Sequence, residues 1–147
     1  MKTALREARK AALKKEVPVG AVVVYQDRII ARGHNLTEGK QNAQAHAEMV
    51  ALRKAAAKQK DWRLTDCDLY VTLEPCTMCA GAMVLSRVRK VIYGTPDLKA
   101  GAVDSTARVL ENPKLNHRVE VESGILKEEC SKVLTDFFRE LRGKTEG

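Results

Sequence analysis

No run of apolar residues in this 147-residue chain approaches the roughly 20 that a membrane-crossing helix needs. The first residues, Met1 to Glu16, are basic but hold no apolar core of the secretory type. Glu7 and Glu16 interrupt the charge, and the folded pattern starts at Val17, which also speaks against an organellar leader. The expected location is therefore the cytoplasm, for a chain that is either untargeted or already processed. Repeats, low-complexity linkers and any sign of a second domain are missing as well, so residues 1–147 read as a single domain. That length is enough for a self-sufficient core. An apolar fraction of 44% argues against disorder.

Only four cysteines are present: Cys67, Cys76, Cys79 and Cys130. In a cytosolic chain such thiols are metal ligands or buried fillers more often than disulfides. Cys67 and Cys130 lack metal-like spacing and read as core residues, since free cysteine behaves as a small hydrophobe. Cys76 and Cys79 stand three apart, as ligands do.

What the chain has in excess is positive charge, 26 Lys and Arg against 19 Asp and Glu for a net +7. This favours a polyanionic partner. The excess gathers at the two ends, in Lys2, Arg6, Arg9, Lys10, Lys14 and Lys15, and in Arg139, Arg142 and Lys144.

Hydrophobic periodicity places the elements. Leu5, Ala8 and Ala12 predict a basic amphipathic helix over Thr3–Lys15, broken at Val17-Pro18. Val19–Tyr25 and Arg28–His34 read as a hairpin turned at Gln26-Asp27. A polar stretch over 35–44 leads to a helix from about Ala45 to Gln59. Asp68–Leu73 is a strand, Pro75 begins a helix through Ser86, and Val88–Tyr93 is the next strand. That order implies a right-handed parallel crossover. A short helix is expected over Asp104–Leu110 and a last strand over Arg118–Val121. Leu126, Cys130, Val133, Leu134, Phe137, Phe138 and Leu141 then mark a final helix. The expected fold class is α/β: a three-layer α/β/α arrangement with a mixed sheet of about five strands flanked by helices.

Two short motifs carry the chemistry. His46-Ala47-Glu48 begins one predicted helix, and Pro75-Cys76-Thr77-Met78-Cys79 begins another. Residues three apart share a helix face, so both sulfurs can reach one ion. Proline suits the first helical position, where an N–H would be unpaired anyway. The positive end of a helix favours the thiolate. One imidazole and two thiolates make three ligands, and a catalytic zinc keeps its fourth position open where a structural one fills it. Glu48, two residues after His46, should point elsewhere and serve as a proton shuttle rather than a ligand. His34 and His117 read as ordinary polar residues.

His-x-Glu followed by Pro-Cys-x-x-Cys resembles the signature of the zinc-dependent cytidine/adenosine deaminases. Among these the chain is most similar to the bacterial tRNA-specific adenosine deaminases. The resemblance runs nearly end to end, through Glu16–Val22, Gly33-His34-Asn35, Ala45–Glu48, Leu69–Cys76, Met78–Met83, Asn116–Val121 and Asp136–Arg139. It implies a homodimer of deaminase-fold subunits that converts the wobble adenosine of a tRNA anticodon stem-loop to inosine. One Zn2+ per subunit, held by His46, Cys76 and Cys79, would activate water for attack at C6 of an extruded adenine. Glu48 would protonate N1 and then the departing amine. The resemblance also sets Asn35 and the backbone of Ala47 against the base. Glu16, Val17 and Pro75 would line the pocket, and Asp97, the Phe137-Phe138 pair and Arg139 would lie near flanking nucleotides. Of the two phenylalanines, Phe138 is expected to be the exposed one.

The chain departs from the family pattern at Asn42-Ala43-Gln44, Thr95-Pro96-Asp97 and Val103-Asp104-Ser105, none of which touches a ligand or Glu48. Two other functions fit parts of the pattern. One is a deaminase of free bases or nucleosides of guanine or cytosine type. The other is a noncatalytic, zinc-stabilised RNA-binding protein. The basic ends favour RNA over free bases, and the free carboxylate of Glu48 favours catalysis over binding alone.

Overall fold

The computed structural model describes residues 1–146, with side chains through Lys144. Five strands form one mixed sheet: β1 (Gly20–Tyr25), β2 (Arg28–His34), β3 (Cys67–Leu73), β4 (Lys90–Thr95) and β5 (Glu120–Ser123), in the order β2-β1-β3-β4-β5. β1 runs antiparallel to β2 and β3, whereas β3, β4 and β5 are parallel. The helices are α1 (Lys2–Leu13), α2 (Thr37–Lys40), α3 (Ala47–Gln59), α4 (Thr77–Leu85) and α5 (Lys127–Glu146).

The hairpin turns at Gln26-Asp27, both at positive φ (49° and 60°). That twist matches the strands of a two-residue loop. α1 and α5 touch each other and cover one face of the sheet, and α3 and α4 cover the other. This is the expected three-layer arrangement. Two glycines allow the close approach. A Cβ at Gly20 would stand 1.9 Å from the Ala4 carbonyl of α1, and one at Gly33 would stand 2.6 Å from the Ala47 carbonyl of α3. Between the layers lies an alanine- and valine-rich core that includes Ala21, Val23, Ala51, Leu69, Val71, Met83 and Val91. Cys67 and Cys130 are buried, as their spacing implied.

The structure corrects several sequence expectations. α4 begins at Thr77 with Cys76 as its N-cap, so Pro75 precedes the helix instead of opening it. The predicted helix over Asp104–Leu110 is a series of turns ending in a single 3-10 turn, Val109–Glu111. The Val109 N–H bonds the Ala102 carbonyl instead of the Ser105 carbonyl that a helix would offer, and Arg108 is left-handed at φ 48°, so no helical ladder forms there. The polar stretch after β2 contains the one-turn α2. On α1, Glu7 lies on the buried face, where periodicity alone would have put it in solvent.

Candidate active site

His46 is the N-cap of α3 and Cys76 the N-cap of α4, so the two helices present their amino ends to one point. Helix amino ends carry unpaired N–H groups and a partial positive potential, which suits thiolates. His46 Nδ1 stands 3.5 Å from Cys76 Sγ and 3.6 Å from Cys79 Sγ. The three ligand atoms all lie within 4.8 Å of one another, and among the described residues this is the group able to hold a metal ion.

The spacing tests whether zinc fits. Bonds of about 2.3 Å to sulfur and about 2.0–2.1 Å to nitrogen, at a tetrahedral angle, separate N from S by about 3.5–3.6 Å. Both observed separations agree. The hydrogen bond from Cys79, opposed by burial and aided by His46, holds the Cys76 thiol down at about 3. Its partner Cys79 is pushed up, first by that same bond and then by burial. His46 is raised, chiefly by its contact with the Cys76 sulfur. Two sulfurs thus share a proton where a divalent cation would replace it.

Glu48 is 4% exposed and stands outside the three-atom group. Its carboxyl is raised above the ordinary range, first by burial, and it accepts a hydrogen bond from the Cys79 thiol. A cavity of ≈ 810 Å³ opens over His46, Glu48 and Cys76, which is ample for a nucleoside.

The other sequence-predicted residues divide. Glu16, Val17, Asn35, Ala47, Asp97, Phe137 and Phe138 all line this cavity. Pro75 and Arg139 do not. Pro75 is buried, with its carbonyl accepting the Ala102 N–H, and Arg139 lies 3.8 Å from Asp136 on α5. Much of the polar capacity at the cavity wall is already used. Glu16 accepts the N–H groups of Glu38 and Gly39 and so holds α2 in place. Asn35 Oδ1 accepts both the N–H and the hydroxyl of Thr37, while Nδ2 donates to the Val17 carbonyl at 3.4 Å. Asp97 Oδ1 accepts the N–H groups of Lys99 and Ala100. Phe138 is 39% exposed and meets Phe137 edge to face, with ring centroids 5.3 Å apart.

Several residues were missed. Lys14 and Lys15 reach the cavity wall; their clustering was visible in the sequence, but not their position. Glu74 is 2% exposed and gathers the N–H groups of Asp97, Val103, Asp104 and Ser105 together with the Ser105 hydroxyl. It ties the loop bearing Asp97 to the segment bearing Cys76. Its place next to Pro75 was the only signal available. His117 is remote from the site, bonding the Val88 carbonyl at 2.7 Å.

A family model described as MafB19-like deaminase matches residues 1–142. The chain is 53% identical to the tRNA-specific adenosine deaminase of Bacillus subtilis (strain 168) over 144 residues, 98% of this chain and 89% of that one. It is 49% identical to the enzyme of the same name from Aquifex aeolicus (strain VF5), over 97% of this chain and 93% of that one. A structure solved in studies of A-to-I editing by tRNA:A34 deaminases at the wobble position superposes with a TM-score of 0.89 and 45% identity, covering 91% of this chain and 97% of that one. A guanine deaminase from Nitrosomonas europaea shares the fold at a TM-score of 0.80 but only 23% identity, over 92% of this chain and 81% of that one. With its paired helix N-caps, three-ligand cluster and buried glutamate, the chain belongs to the tRNA-specific adenosine deaminases.

Proposed function

We propose that this chain converts adenosine to inosine at the wobble position of a tRNA anticodon, consuming water and releasing ammonia. The observation that carries the reading is the placement of His46, Cys76 and Cys79 as three ligands beside a buried, uncoordinating Glu48 under one cavity. Membership in the tRNA-specific adenosine deaminases supplies the substrate class.

His46, Cys76 and Cys79 would hold one zinc ion per subunit, which would supply the Lewis acidity that makes water nucleophilic near neutral pH. Glu48 accepts a proton from the attacking water and passes it to N1 of adenine, then takes the proton of the new C6 hydroxyl and passes it to the amine, which leaves as ammonia. Burial of Glu48 removes competing solvent from that transfer. The target base must leave its stack to enter the cavity. Val17, the backbone of Ala47 and the remaining Nδ2 hydrogen of Asn35 receive it. Asp97, Phe138 and Arg139 serve the flanking nucleotides, Phe138 as a stacking surface, while Glu16 forms part of the wall and Pro75 supports it from behind. Residues 1–147 act as one deaminase domain, in the cytoplasm, as a homodimer. No helix among the described residues is long and apolar enough to cross a membrane.

The test is incubation with an anticodon stem-loop carrying adenosine, and separately with guanine, cytosine and cytidine. Inosine, read as guanosine on sequencing, is expected at the wobble position of the stem-loop alone. Deamination of the free compounds and not the RNA would reject the reading. The mass of the protein in solution, measured by light scattering, tests the homodimer.

A further inference from the structure

Lys14 caps the carboxyl end of α1, and its side chain stands in the wall of the cavity that contains His46 and Glu48. Its Nζ lies 2.9 Å from Nε2 of His34. The other ring nitrogen of His34, Nδ1, lies 3.0 Å from Oε1 of Glu7. Glu7 is 4% exposed, and its second oxygen accepts from Lys10 at 2.7 Å. An ammonium can only donate, so Nε2 is the acceptor and the ring proton sits on Nδ1, donating to Glu7. The buried carboxylate therefore orients the imidazole, and the imidazole anchors Lys14.

This arrangement has a particular electrostatic result. A lysine paired with a carboxylate, as Lys10 is with Glu7, has its charge largely neutralised. Lys14 is held instead by the lone pair of an uncharged ring nitrogen, so it is ordered while keeping its full positive charge. A free lysine side chain spreads over many rotamers and loses that freedom on binding; here much of it is already lost. Two N–H donors remain. The neighbouring Lys15, at φ 62°, adds a second cation to the same wall.

We propose that Lys14, positioned by His34 and Glu7, binds a phosphodiester of the RNA next to the nucleotide whose base enters the cavity. The assignment rests on the RNA substrate proposed above. Lys14 makes the contact, and His34 is a positioning residue that acts through it.

The test compares wild type with Lys14→Gln, Lys14→Arg, His34→Gln and, as a control, Lys54→Gln on the exposed side of α3. Stem-loop binding and single-turnover editing are measured from about 50 mM to about 200 mM salt, a range over which phosphate contacts change affinity strongly. Lys14→Gln should weaken binding by about tenfold. It should also make the slope of log affinity against log salt shallower by about 0.7, with zinc content unchanged. Lys14→Arg should restore the slope. His34→Gln should weaken binding while leaving the slope as in wild type, because the charge stays but its anchor is gone. Lys54→Gln should match wild type. If wild type edits the stem-loop and Lys14→Gln keeps both its affinity and its slope, the phosphate contact is overturned and the substrate reading stands. A wild-type protein that neither binds nor edits the stem-loop overturns both.

Discussion

His46 Nδ1 and Cys76 Sγ, which belong to residues 30 positions apart, meet at 3.5 Å because each residue caps the amino end of its own helix. Each cap is in extended conformation, with ψ of 154° at His46 and 178° at Cys76, so each side chain leaves its helix at the first turn. The meeting of these side chains is therefore set by the two segments that lead into α3 and α4.

Replacing Cys79 with Ala removes one of three proposed ligands and leaves Cys76 Sγ with His46 Nδ1 as its partner. Loss of an outer partner alone costs about 10–100-fold in metal affinity, so removal of a direct ligand should cost more. Metal analysis after dialysis should find zinc at full stoichiometry in wild type and absent from the variant, with editing lost in parallel. Full zinc retention in the variant would show that the ligand is misassigned.

Glu48→Gln keeps the shape of the buried side chain but cannot accept a proton. Turnover should fall by about 10²–10⁴-fold, with zinc content and stem-loop binding preserved. Single-turnover editing alongside metal analysis separates this from a structural effect. Unchanged turnover would assign the proton transfer to another group.

At Gly33 a Cβ would lie 2.6 Å from the Ala47 carbonyl and 2.8 Å from the Ala51 nitrogen, both backbone atoms of α3. Gly33→Ala must push away the helix end that carries His46 and Glu48. The expected cost is about 1–3 kcal/mol in urea unfolding, together with weakened zinc affinity. Gly143→Ala, in α5 with nothing within 4 Å, serves as the comparison; it should be neutral or stabilising by up to about 1 kcal/mol. Equal stability of the two variants would remove the packing argument.

The carboxyl of Glu74 is subject first to burial, which raises it. The hydrogen bonds from the Ser105 hydroxyl and from the N–H groups of Asp104, Ser105 and Asp97 outweigh burial and hold it below the usual range. Its folded value thus lies under the unfolded one, near pH 4.3 for glutamate. In acid the unfolded chain binds the proton first, so stability rises with pH across that window. The contribution is complete above about pH 4.3 and disappears as pH falls through the lower folded value. Urea midpoints measured from neutral pH into acid should drop more steeply for wild type than for Glu74→Gln. The variant should also be less stable at neutral pH, since a Gln amide nitrogen cannot accept from those N–H groups. Parallel curves for the two proteins would mean that Glu74 does not carry the acid dependence.

The chemistry of the site was legible because it resides in residue types at short spacings. One His, two Cys three apart and an offset Glu are local patterns, and helix periodicity alone puts Cys76 and Cys79 on one face. The hairpin and the α5 helix were legible for the same reason. Helix boundaries were less so. Pro75 reads as a helix opener, yet its carbonyl is taken by the Ala102 N–H and the helix waits for Thr77.

By itself, then, the sequence put forward the His46, Cys76 and Cys79 group, the offset Glu48, the strands and longer helices, and the basic ends, because each is written in residue types and spacings of a few positions. Tertiary structure decided what those residues do to one another across long separations. A buried carboxylate recruits whichever N–H groups the fold brings near it, so Glu74 fixes a segment up to 31 residues away, and the bond from the Val109 N–H to the Ala102 carbonyl leaves turns where a helix was expected. In the same way Glu7, His34 and Lys14 become one chain only because α1 packs over the end of β2. The identity of Lys14 as one more surface charge was plain from composition. Its order, its undiminished charge and its place beside the cavity depend on a neutral ring 20 positions later in the sequence.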